Sequence, residues 1–281
     1  MRVHSTTEAE DNSAPATLSY TVIIFHSLNV FALILILVIL STAALTRDLR
    51  RIKMWYTFLC VQLFYVISFL LHPFKKLDYE PEFGLCLLQA MLVHAAPLAA
   101  NWALLALIVE VYTLIRTNWT SQGKFKLVIF STPVFIFAGV AIAVLVDGLK
   151  HPSSVGMTPE SLYCHLISTG PYTTVMDAII YLLPTVICFT LSFTIGFSVY
   201  RYSRDIERQS VLSGVSPSSV IRVAALLLGP IPALSCLLPR TYVQLQQTGH
   251  FLFLMPILTA IVFGTQRDMV AAMFPWSRSR M

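Results

Sequence analysis

Apolar residues run along this chain in long blocks, without the alternation of a strand or the single stripe of a surface helix. Five windows contain no Asp, Glu, Lys or Arg: Asn12 to Thr46, Met54 to Phe74, Leu127 to Val146, Val223 to Leu238 and Thr241 to Gln266. Two more, Phe83 to Ile115 and Tyr172 to Tyr200, are each interrupted by one acid, Glu110 and Asp177. Crossing the ~30 Å hydrocarbon core takes about 20 helical residues at ~1.5 Å each. The sixth window reaches that length when extended back to Ser218, with Arg222 snorkelling to the interface. The pattern therefore predicts seven spanning helices, at about residues 18–46, 54–74, 83–115, 127–147, 172–200, 218–238 and 243–265.

Composition agrees. With 56% hydrophobic and 12% charged residues and a mean hydropathy of +0.73, the chain has too little polar surface for a soluble globule. The expected fold is an all-α membrane protein, a seven-transmembrane helix bundle with no second domain and no internal repeat. Orientation follows from the cations. With the N-terminus outside, fourteen of the 19 Lys and Arg fall on the cytoplasmic side: Arg47, Arg50, Arg51, Lys53, Arg116, Lys124, Lys126, Arg201, Arg204, Arg208, Arg222, Arg267, Arg278 and Arg280. Arg2, Lys75, Lys76, Lys150 and Arg240 stay outside beside most of the acids, as the positive-inside rule requires. The net charge of +5 is thus a topology signal, and no nucleic-acid partner is implied. Residues 1–17 read as an extracellular N-terminus, and residues 266–281 as an amphipathic helix with a short cytoplasmic tail. The first apolar run is too long, and its flank too acidic, for a cleaved signal peptide, so it is expected to remain as an anchor. Membrane lipids are the surrounding partner, and the plasma membrane is the expected location.

Of the five cysteines, Cys60, Cys188 and Cys236 fall inside predicted helices two, five and six, where a thiol reads as a small buried hydrophobe. Cys86, at the outer end of helix three, and Cys164, in the outer loop from Gly148 to Pro171, are the only two on the oxidising side. They are expected to form a disulfide that folds the loop over the mouth of the bundle; the alternative is two unlinked thiols.

Seven helices, an outer N-terminus and cysteines at these two places resemble the architecture of G-protein-coupled receptors. In the rhodopsin-like class an acid-arginine-tyrosine triplet closes helix three, its acid 24 residues after the helix-three cysteine; here Glu110-Val111-Tyr112 keeps the acid and the tyrosine and lacks the arginine. Pro184 and Pro256 look like that class's helix prolines, the latter within Met-Pro-Ile-Leu-Thr instead of Asn-Pro-x-x-Tyr. LCLLQAMLVHAAPL (Leu85 to Leu98) and FGTQRDMVAAMFPW (Phe263 to Trp276) are more similar to divergent fungal seven-helix receptors, in particular receptor-like proteins of mushroom-forming, basidiomycete-type species. The second stretch is also similar to the end of helix seven in fungal lipopeptide-pheromone receptors. The resemblance implies a receptor for an extracellular small or lipid-like ligand, with a heterotrimeric G protein as its inner partner.

Candidate site residues follow from depth and helical phase. At 100° per residue, His94, Asn101 and Tyr112 lie within about 20° of one another and are expected to face the bundle interior, while Glu110 points some 160° from Tyr112. For His94 a satisfied interior hydrogen bond is the expectation, and ligand contact the alternative. Asp177 lies about one and a half turns into helix five, with Tyr181 a turn deeper on the same face, and His250 stands across the bundle. An intramembrane acid is costly, which marks Asp177 as a ligand-binding candidate; structural pairing is the alternative. Glu110, about 9 Å above the inner charged edge at Arg116, is either a protonation-dependent switch, as the resemblance implies, or a carboxylate snorkelling towards Lys53, Lys124 or Lys126. Glu110, Tyr112, Arg116, Arg204, Arg208, Arg222 and Arg267 form the candidate signalling face. Pro97, Pro184, Pro230, Pro232 and Pro256 are expected to interrupt helices three, five, six and seven. Met269, Val270, Met273 and Phe274 share one side of the terminal amphipathic helix, which suits the inner leaflet.

Other classes have less support. The seven histidines form no H-x-x-x-H or H-E-x-x-H pair and no G-x-S-x-G is present, so no enzyme, metal or cofactor is implied. Helix seven has no lysine for a retinal Schiff base. A small-solute transporter is the alternative, kept by Asp177 and the proline-broken sixth helix against the absence of repeated halves. Topology is directly testable, because Asn118-Trp119-Thr120 is a glycosylation sequon placed in the second inner loop. Asn118 is expected to carry no glycan when the chain is expressed in a glycosylating cell. A glycan recovered there by mass spectrometry would invert the topology or remove a span from it.

Overall fold

The structure, a computed structural model, describes residues 14–46, 53–71, 82–117, 123–157, 163–166, 180, 182–197 and 254–273, without the side chains of 14–19, 21, 114–117, 123–126, 267, 268 and 271. The described residues are almost wholly helical: α1 (Ala14–Leu45), α2 (Lys53–Leu70), α3 (Phe83–Thr117), α4 (Gly123–Lys150), α5 (Leu182–Phe197), α6 (Leu254–Gly264) and α7 (Arg267–Met273). Between α4 and α5 lie a 3-10 turn (Pro152–Ser154) and a hairpin of β1 (Val155–Met157) and β2 (Cys164–Leu166). Four helices, α1 to α4, are long and apolar enough to cross a membrane, and they mark a membrane-embedded protein. α5 and α6 are shorter apolar helices within predicted spans five and seven. The predicted sixth span, with its Gly229-Pro230-Ile231-Pro232 break, lies outside the described residues.

Helix α3 is the axis of the bundle. Of its spanning window 72% is buried, against 22% for α4. Its sequence explains the difference. Ala90, Ala95, Ala96, Ala99, Ala100, Ala103 and Ala106 are all buried, and small side chains let neighbouring backbones approach in a medium where apolar burial alone drives nothing together. α2 and α4 pack along it, and at Gly148 of α4 the approach is so close that a Cβ would collide with the Leu87 side chain. Ile36, Phe58, Leu59, Leu104 and Ile108 fill the main core, and Phe263 of α6 meets Trp55 and Phe58 edge-on, with ring centroids 5.7 and 5.9 Å apart. The outward faces remain apolar. Ile23, Phe31 and Ile34 on α1, Phe130 and Phe135 on α4 and Phe193 on α5 are exposed, which is the surface that hydrocarbon would cover.

Polar side chains in these helices close on their own backbone. Ser41, Thr57, Ser68, Ser131, Thr132, Thr190, Thr194 and Thr265 each donate to a carbonyl three or four residues earlier. That is the least costly arrangement for a hydroxyl without water.

Several sequence expectations change. α3 runs unbroken through Pro97, and α4 through Pro133, so neither proline ends its helix. Cys188 is buried as expected, but Cys60 is exposed, on the side of α2 that also exposes Phe64; a thiol is apolar enough for a lipid-facing position. Cys236 lies outside the described residues. α7 does more than lie flat: Met269 is fully buried in the main core and α7 packs against α1, with Val270 and Met273 partly covered.

Candidate functional site

The hairpin reaches into the bundle. Cys164 of β2 is bonded to Cys86 in the first turn of α3, with their Cα atoms 5.2 Å apart. β1 and β2 pair antiparallel, Val155 with Leu166 and Met157 with Cys164. Strand alternation then sends Cys164 and Leu166 one way and Tyr163 and His165 the other. Leu166 packs among Ala95, Leu98, Val140, Ala141 and Val144, two to three turns of α3 below Cys86. The loop expected to cover the mouth is therefore also a plug.

On its other face, Tyr163 stacks on Phe25 of α1 at 6.1 Å and meets Phe69 of α2 edge-on at 5.2 Å, while its ring centroid lies 6.2 Å from that of His165. A second tie holds β2 down. Gln89 accepts a hydrogen bond from the Cys164 backbone N–H at Oε1 (3.0 Å) and donates from Nε2 to the Ser68 carbonyl of α2 (3.2 Å). Gln89 is fully buried, so one amide joins α2, α3 and the hairpin. Sequence reasoning passed over it, although a glutamine inside the apolar run LCLLQAM was the available signal.

Of the expected interior stripe on α3, Asn101 is buried and donates from Nδ2 to Thr185 Oγ1 of α5 at 2.8 Å. One residue on, Trp102 Nε1 donates to the Ile180 carbonyl at 3.0 Å, so two adjacent polar groups fasten α5 and Ile180, just ahead of it in the chain, to α3. Tyr112 is half-buried against the main core. For His94 the expected interior hydrogen bond is not made at Nε2, which is out of solvent and has no partner. His165 lies close enough to act on His94 electrostatically. Burial holds the His165 imidazole below its usual value, and its hydrogen bond to the Gly156 backbone opposes the shift. Its Nδ1 is out of solvent without a hydrogen-bond partner.

Glu110 is half-buried with its Oε2 out of solvent, and its backbone carbonyl accepts from Thr113 Oγ1 at 2.8 Å. Further polar groups that sequence reasoning did not single out are interior. Gln62 of α2 is fully buried and neither of its amide atoms has a partner; Thr259 of α6 is fully buried with an unpartnered hydroxyl. Asn29 of α1 is buried and donates to the Phe25 carbonyl at 2.9 Å. Asp177, Tyr181, His250, Arg204, Arg208 and Arg222 lie outside the described residues, as do the side chains of Arg116 and Arg267. Among the described residues no group of three or more His, Cys, Asp or Glu could hold a metal ion.

Two imidazoles, each with a ring nitrogen lacking a partner, and the cluster of Phe25, Phe69 and Tyr163 are gathered at the hairpin end by a covalently fixed hairpin. No protein-family model matches the chain, and no curated protein is significantly similar to it.

Proposed function

We propose that this chain is a seven-helix receptor of the plasma membrane that senses a small or lipid-like ligand on the hairpin side and signals to a heterotrimeric G protein. The observation that carries the reading is the Cys86–Cys164 bond, which pins a loop hairpin into the end of the central helix beside His94. A plug of that kind leaves α3 as the element common to both ends, with His94 in its first half, Asn101 at its middle and Glu110 and Tyr112 in its last turns. A ligand-dependent change in how α3 packs would then be felt at the opposite end, where the sequence concentrates Arg204, Arg208, Arg222 and Arg267. The resemblance to divergent fungal receptors supports the same reading from independent stretches of sequence.

The test is nucleotide exchange. Protein reconstituted in nanodiscs is expected to speed GDP release from at least one of a panel of purified Gα subunits several-fold over empty nanodiscs. No acceleration with any Gα family, together with uptake of a labelled solute by proteoliposomes lacking G protein, would replace the receptor with the transporter.

A further inference from the structure

His94 and His165 come from different parts of the chain, one from the first half of α3 and one from the middle of β2; the residues that follow them, Ala95 and Leu166, share one core cluster, and the two imidazoles lie within electrostatic reach. Each keeps a ring nitrogen that is out of solvent and has no protein partner, Nε2 on His94 and Nδ1 on His165. A buried nitrogen without a partner carries a desolvation cost that a bound polar group would relieve. The hairpin cannot relieve that cost by lifting away, because the disulfide, the Gln89 bridge and the burial of Leu166 all hold its backbone in place.

We propose that the pair is a recognition site for a neutral, largely apolar small molecule carrying a hydroxyl group. A nitrogen of a neutral imidazole either donates as N–H or accepts through its lone pair, according to the tautomer. A hydroxyl donates one hydrogen bond and accepts another, so it can satisfy Nδ1 of His165 or Nε2 of His94 in either state. A carboxylate would need an imidazolium partner, which the enclosure disfavours. The surroundings suit an apolar body: Tyr163 stands beside His165, Phe25 and Phe69 pack on Tyr163, and Val93 and Ala96 flank His94. The proposal deepens the ligand half of the receptor reading and is independent of G-protein coupling.

Two probes of matched shape separate the hydroxyl from the apolar body: 2-phenylethanol and ethylbenzene. The full chain, labelled with 15N only at histidine and held in nanodiscs, is titrated with each. The expected result is a saturable shift of the ring-nitrogen resonances of both His94 and His165 with 2-phenylethanol and no shift with ethylbenzene. His94→Phe and His165→Phe should each weaken 2-phenylethanol binding about tenfold, the value of one well-placed hydrogen bond, while non-reducing peptide mapping still recovers the Cys86–Cys164 pair. Should either variant fail to fold, the comparison of the two probes on the unaltered chain decides alone. Equal shifts with both probes would overturn the proposal in favour of unspecific apolar binding, and no shift with either would assign the two nitrogens to water. Loss of Gα exchange with the probe difference intact would remove the receptor reading and leave the site standing.

Discussion

Cys86→Ser and Cys164→Ser are each expected to lower the thermal stability of the purified protein by roughly 5–10 °C, and the double variant by no more than either single one. The bond closes a loop spanning 78 positions, for which chain entropy alone gives about 4.5 kcal/mol. Insertion of the flanking helices already confines both residues to one side of the bilayer, so about 2 kcal/mol is the better expectation for that part. Losing the tether also exposes what it holds: Leu166 leaves its contacts with α3 and α4, and the Cys164 amide leaves Gln89. A total of about 2–4 kcal/mol corresponds to a Tm shift of that size in a chain of this length. Non-additivity is the diagnostic part, because two residues in one bond share one interaction. Recovery of both cysteines as free thiols from surface-expressed protein, or a double variant clearly worse than both singles, would show that they act separately.

That bond was legible because topology and redox chemistry act on the same two residues. Charge-free windows predict which segments lie in lipid, cation placement predicts which ends are outside, and on that expected topology only Cys86 and Cys164 remain together on the oxidising side. The descent of the hairpin was not legible. Nothing in Cys164-His165-Leu166 distinguishes a strand lying across a mouth from one inserted into it; the difference lies in the small residues of α3 and α4, Ala95 and Ala141 among them, that leave room for Leu166. Helix existence could be read off blocks of hydrophobicity, whereas the ends drifted by a few residues, as with α4, predicted at 127–147 and found at Gly123–Lys150.

The site was legible as a face and illegible as contacts. Helical phase put His94 and Asn101 on one side of α3, and both lie inside, one on Thr185 and one beside the hairpin. Phase cannot say which nitrogen finds a partner, and so a satisfied His94 was expected where Nε2 has none. Gln89 and Gln62 escaped for a different reason. A charged residue in an apolar run announces its cost, but a single glutamine in a membrane segment has two readings, lipid-facing and bridging, that only the neighbouring helices can separate.

Glu110→Gln is expected to raise basal G-protein signalling about tenfold, with the ligand response retained. The carboxylate sits in the last third of α3, half-buried, with Oε2 withdrawn from solvent and with Val109 and Tyr112 beside it packed on the main core. A charge in that position restrains whichever arrangement of the neighbouring elements solvates it best, and the restraint is removed by an amide of nearly the same shape. For a receptor resting at ~1% active, losing about 1.4 kcal/mol of such restraint moves the active population to about 10%. That is within what one partly buried ionic interaction contributes. Arg116→Ala should change little, because six helical residues turn it about 120° away from Glu110. Cells expressing both variants at equal surface density would separate the cases, with thermal stability measured alongside, since neutralising an interfacial acid also eases insertion. If Glu110→Gln leaves basal activity, ligand response and thermal stability where they were, the carboxylate only snorkels to the interface. The likeness of Glu110-Val111-Tyr112 to a receptor triplet would then carry no functional meaning.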